Sequence, residues 1–299
     1  MNLIKNILDN YYSMHSTNKY LYGTSLARVG LGLIILYNYL ILYFQRDILL
    51  TNNSIVGKTV NDFSIYNYIT NDVIFEFIYH IGIFVVILYI LGIYTFVIGI
   101  FNYLFVFSYI NHTYLISDGG DNLLLLLLFY LLFTNNSVHY SLKPTRYSTN
   151  KQLIILHNFA VYACIIQICI VYFISAMYQV NGEKWFNGTA IYYISQVNVF
   201  FNYNIDSFLT NNVYTITLLT YASILIKIAF PFLIFNKKTK FIIITCIILF
   251  HLGIAVFMGL ITFALTMIVA ELLLFTDNEY LDMKNRFKLR YFKRGVNIG

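Results

Sequence analysis

Arg28, His80, His157, Lys227, His251 and Glu271 all fall inside runs of leucine, isoleucine, valine and phenylalanine. An ionisable group in such surroundings has lost most of its water, so it is paired, hydrogen-bonded or used. Glu271 near one end of its run has two cationic candidates, Arg28 and Lys227, and an ion pair with either is the plainest expectation; the four-carbon stem of Lys227 also lets its amine reach toward the membrane edge. His251 is suited to proton transfer. A second polar group gathers toward the opposite ends of these runs: His112, Asp118, Asp121, Glu76, Gln179, Glu183, Lys184 and Trp185. In the segment SDGGDNLL the glycines make a tight turn and Asp121 reads as the helix N-cap, leaving Asp118 to orient a histidine or line a polar cavity. Trp185, the only tryptophan, has an apolar body and a polar edge that suit a membrane interface or a ligand.

No HExxH, GxSxG, P-loop or CxxC spacing occurs. Histidines at 80, 112, 139, 157 and 251 are scattered over different elements, so no metal site is expected and the sequence requires no cofactor. Cys164, Cys169 and Cys246 lie inside apolar runs without redox spacing and read as packing residues.

The elements that must position these groups are membrane spans. Hydrophobic residues make up 59% of the chain and charged ones 11%, too apolar for a soluble domain of 299 residues. A span needs about 20 mainly apolar residues. The candidate spans cover residues 24–44, 74–91, 95–110, 122–134, 153–178, 213–235, 241–257 and 260–275. Residues 122–134 are short enough to re-enter, so an all-α polytopic bundle of seven or eight spans is predicted, eight being preferred. Lysine and arginine collect before the first span (Lys5, Lys19), around Lys143, Arg146 and Lys151, around Lys237, Lys238 and Lys240, and in the tail from Lys284 to Arg294. With eight spans these segments share one side, which places both termini in the cytoplasm. Residues 1–23 read as an interfacial helix, 24–275 as the transmembrane domain and 276–299 as a basic cytoplasmic tail. The net charge of +6 is accounted for by these juxtamembrane clusters facing membrane lipid rather than by nucleic acid. Pro231 falls inside the sixth span as a kink.

The segment YFISAMYQVNGEKWFNGTAIYYIS, residues 172–195, resembles the matching stretch of the vitamin K-dependent gamma-carboxylase membrane domain and its bacterial relatives, the horizontally transferred transmembrane (HTTM) family. NHTYLISDGGDNLLLLLLFYLLFTNNSVHYSL and FHLGIAVFMGLITFALTMIVAELLLF are similar to two further family regions in the same order, so the resemblance spans roughly residues 20–280. His139 and His251 match the family pattern. Tyr178 and Gln179 stand where the carboxylase has a lysine pair that includes its presumed base, and neither titrates near neutral pH. TSLARVGLGLIILYN, with Arg28, resembles the sporulation-delaying protein B family. That resemblance implies a factor in the bacterial cytoplasmic membrane that matures or exports a secreted antimicrobial peptide toxin with a small soluble companion. In this reading Trp185, Lys184 and His112 mark the loop that receives precursor or partner. The alternative it implies is a membrane enzyme using a quinone-like or lipidic cofactor, with His251 as base, assisted by His139, Gln179 and Asp118.

Overall fold

A computed structural model describes residues 15–51, 63–114, 116–197 and 211–295, the side chains of 287–295 excepted. Most of the expected interfacial segment 1–23 and part of the loop bearing Trp185 lie outside them. Among the described residues every regular element is a helix. Six helices are long and apolar enough to cross a membrane: α1 (Leu21–Ile41), α2 (Asp72–Leu91), α3 (Thr95–His112), α5 (Lys151–Val180), α6 (Val213–Leu233) and α7 (Lys237–Met258). Between them, α4 (Gly119–Leu131) has 13 residues, about 20 Å of helix against roughly 30 Å of hydrocarbon. α8 (Ile261–Glu271) continues as a 3-10 turn, Leu272–Leu274, and the chain then bends by 101° into α9 (Asp277–Gly295). Counting that bent pair gives seven. The count falls short of eight because the apolar run of α4 gives a helix too short to count as a span.

Local chemistry sets the ends. Asn71, Asn212 and Asn236 each precede a helix and accept a backbone N–H of its first turn through the side-chain oxygen, capping α2, α6 and α7. Pro231 lies in the last turns of α6, which runs on to Leu233. Asp118, rather than Asp121, caps α4: its Oδ1 accepts the Gly120 N–H at 2.6 Å. The helix starts at Gly119, two residues before Asp121, which moves the capping position back to Asp118.

The chain divides into two compact units: Met1–Ser117, Asp121–Cys164 and Leu272–Gly299 form one, and Asp118–Gly120 and Ile165–Glu271 the other. In the first, α1 packs on α2 and α2 on α3. Several chain segments gather at one end of this unit. Thr95 at the start of α3 donates to Ser137, and the loop after α4 meets the end of α2 through Leu142 N to Leu91 O and Ser141 Oγ to Gly92 O. His139 N donates to Ser25 of α1, and Tyr22 N donates to Asp277 at the start of α9. Gly92 ends α2 with φ 73°, and a Cβ there would run into Ser141 Oγ and Arg28 Nη1, so only glycine fits. The second unit assembles the latter half of α5 with α6, α7 and α8, α7 packing against both α6 and α8.

Candidate functional site

On α5 the polar residues Tyr172, Ser175 and Gln179 recur at i, i+3 and i+7 and so share one face. α6 contributes Lys227, α7 contributes His251, and α8 ends on Glu271. These side chains converge inside the second unit, where Tyr172, His251 and Glu271 are each 1% exposed. The Tyr172 hydroxyl donates to Glu271 Oε1 at 2.7 Å and lies 3.0 Å from His251 Nε2. The Phe230 ring, 4.3 Å from the Tyr172 ring, holds the tyrosine in place. Among the described residues, two polar atoms at this core, His251 Nδ1 and Glu271 Oε2, have no hydrogen-bond partner, and neither has Gln179 Oε1 two turns further along α5. Each such buried atom costs about 1–3 kcal/mol, so this region is assembled at the expense of stability, as binding sites are.

Lys227 is buried with one weak hydrogen bond, Nζ to Ser175 Oγ at 3.4 Å. Its ammonium is otherwise framed by aromatic rings, 5.8 Å from the Trp185 centroid and 5.4 Å from that of Phe250. Among the described residues the ion pairs are Arg46 with Glu76 and His80 with Glu76. The expected pairing of Glu271 with Lys227 or Arg28 is therefore not made: Glu271 is engaged by Tyr172, and Arg28 by backbone carbonyls of the first unit.

Beside the polar core lies an apolar pocket of about 240 Å³, lined among others by Ile191, Ser195, Leu219, Phe250, Gly253 and Phe257. Phe250 borders both, its ring 5.2 Å from that of His251. A polar cluster and an apolar pocket thus meet at Phe250, while Tyr172, His251 and Glu271 do not line the pocket itself. The Trp185 turn is fixed nearby: the short helix Glu183–Phe186 closes at Gly188, φ 72°, with Gly188 N on Trp185 O and Thr189 N on Lys184 O. Tyr221 of α6 donates to Phe186 O at 2.6 Å and ties this turn down.

The remaining predicted residues separate from this core. Lys184 lies 4.3 Å over the Tyr193 ring, Tyr178 is 77% exposed, and Asp118 is a helix cap. His139, in the first unit, stacks on Tyr22 at 3.7 Å, and burial lowers its pKa below the usual histidine value. His112, also in the first unit, is buried edge-on to Tyr66. His157 accepts the Asn135 N–H at Nδ1 and meets Lys19 O through Nε2, a structural pairing. Arg28 is wholly buried and donates to Asn136 O (3.0 Å), Tyr89 O (2.5 Å), Ile90 O (2.6 Å) and Tyr140 O (2.5 Å). Tyr172 and Ser175, which sequence reasoning did not single out, carry a readable signal in their helical spacing with Gln179.

Comparison with known proteins adds one match. The HTTM domain model covers residues 59–280, and no curated protein or solved structure matches the chain. The match takes in all the helices that build the buried core, and the chain is a multi-pass membrane protein belonging to the HTTM family.

Proposed function

We propose that this HTTM protein binds an apolar molecule with a polar head, quinone-like or lipidic, in its second unit and moves a proton at that head. The observation that carries this reading is the Tyr172, His251 and Glu271 cluster, with two unpartnered polar atoms, set beside an apolar pocket. His251 is the proton acceptor and Tyr172 and Glu271 hold it. Carboxylation is not part of the proposal, since Tyr178 is exposed and Gln179 has no titratable proton. The test uses purified protein in detergent with a short-chain naphthoquinone, held in its reduced dihydroxy form under anaerobic conditions, as probe. As the only tryptophan, Trp185 reports binding by its fluorescence. Saturable quenching by the naphthoquinone, weakened at least tenfold in His251→Ala, is expected; no saturable quenching in the unsubstituted protein overturns the reading.

A role in maturing or exporting a secreted antimicrobial peptide with a soluble companion is a second reading. It is favoured by the resemblance around Arg28 and by the missing lysine pair. Cells supplying precursor and companion distinguish the two: secreted killing activity that survives His251→Ala while quinone binding is lost leaves the peptide role standing without the chemistry.

For orientation we propose the bacterial cytoplasmic membrane with both termini inside. Support comes from the shared end of the first unit, where Arg28 and the loop carrying Lys143 and Arg146 meet the starts of α1, α3 and α9. In that arrangement α4 and α8 complete crossings despite their length. A reporter inserted after Asn136 that reads as external contradicts it.

A further inference from the structure

We infer that Tyr172 is a positioning residue that holds His251 with its proton on Nε2, so that the site takes a head group offering a hydrogen-bond donor to Nδ1. This rests on the ligand-binding reading above for the occupant, though not for the proton's position.

A hydroxyl carries one proton and can give it to one neighbour. Tyr172 Oη lies between Glu271 Oε1 at 2.7 Å and His251 Nε2 at 3.0 Å, so the three groups form a directed chain with two possible senses. In one, His251 Nε2–H donates to Tyr172 and Tyr172 donates to a Glu271 carboxylate. In the other, a protonated Glu271 donates to Tyr172, Tyr172 donates to a bare Nε2, and the imidazole proton moves to Nδ1. The Tyr172 hydroxyl donates to Glu271 Oε1, which is the first sense. With Glu271 accepting, Nε2 must donate and Nδ1 is left as a bare lone pair. Nδ1 is buried and has no partner among the described residues, as a group reserved for an incoming donor would be. The directed chain therefore turns a histidine that could present either face into a fixed acceptor. A hydroxyl on the head group satisfies it; an ether or carbonyl in the same place sets two lone pairs against each other.

Two measurements test this. Nitrogen NMR of protein labelled in histidine, with His251 assigned by its loss in His251→Gln, is expected to show a protonated Nε2 and an unprotonated Nδ1. In Tyr172→Phe, which keeps the ring against Phe230, a mixture of the two tautomers is expected. A wild-type His251 protonated on Nδ1 overturns the inference whether or not any ligand binds. The second measurement is displacement of the naphthoquinone by para-hexylphenol and by para-hexylanisole, which differ by a methyl on the oxygen. The phenol is expected to displace about tenfold better, the worth of one buried hydrogen bond, and this preference is expected to vanish in Tyr172→Phe. Equal displacement by both in wild type overturns the donor requirement, whereas failure of the naphthoquinone to bind at all sinks the ligand-binding reading and leaves the NMR result to decide the tautomer.

Discussion

Arg28 and Lys227 are both buried cations in apolar helices without an acidic partner in contact among the described residues, yet their surroundings differ. Around Arg28 the first unit supplies four carbonyl oxygens, from the end of α2 and from the loop after α4. The planar guanidinium matches their fixed directions, and the cation serves as a fastener. Around Lys227 the second unit supplies one long hydrogen bond and two rings, and the neighbouring His251 and Glu271 each keep a polar atom unmatched. Burial and charge are common to both regions. What separates structure from function is the completeness of the hydrogen bonding, which no residue type reveals by itself.

The contrast breaks most readily at Arg28. Arg28→Met should destabilise the protein by about 3–5 kcal/mol, because the orphaned carbonyls lose their donor; thermal unfolding in detergent checks it, and a variant as stable as wild type would remove the distinction. Arg28→Lys should recover only part of that loss, a single ammonium being unable to span the same acceptors. His251→Ala should do the opposite, removing naphthoquinone binding by at least tenfold while the melting curve moves by less than about 2 kcal/mol, since an unsatisfied nitrogen leaves with the ring. Lys227→Met should cost about 1 kcal/mol or less in thermal unfolding. The smallest effect is expected at His139. Burial lowers its pKa below the 6.5 of an unfolded histidine, so the folded protein binds fewer protons there. Stability should therefore fall as pH drops through about 6.5, a slope that His139→Gln should reduce in melts between neutral and mildly acidic pH.

Much of this was legible in the residues. The apolar runs mark the helices, and His251, Lys227 and Glu271 stand out as costly inside their spans. Tyr172 did not stand out, because in a chain with 28 tyrosines one more aromatic ring reads as filler; its hydroxyl becomes meaningful only when α7 and α8 bring His251 and Glu271 to it. The ion pair expected for Arg28 was misread for a related reason. Its partners are main-chain carbonyls, and every residue has one, so composition cannot say which are aimed at a given guanidinium. Asp121 lost the capping position to Asp118 because the intervening glycines entered the helix rather than the turn. His139 and His251 looked like a set through family resemblance, but each is engaged inside its own unit. The span count depended on where apolar runs bend, and the bend after Leu274 leaves little trace in hydropathy.

The brevity of α4 has a consequence for the lipid around it. α3 uses 18 residues to leave the end of the first unit where Arg28 sits, and α4 returns toward that end with 13. In the proposed orientation α4 crosses, and about 20 Å of helix beside a hydrocarbon layer of roughly 30 Å leaves a deficit that local thinning of the bilayer would absorb. Lipids with shorter or more disordered chains should collect along this helix, making the composition of the surrounding membrane a determinant of how comfortably the first unit is seated.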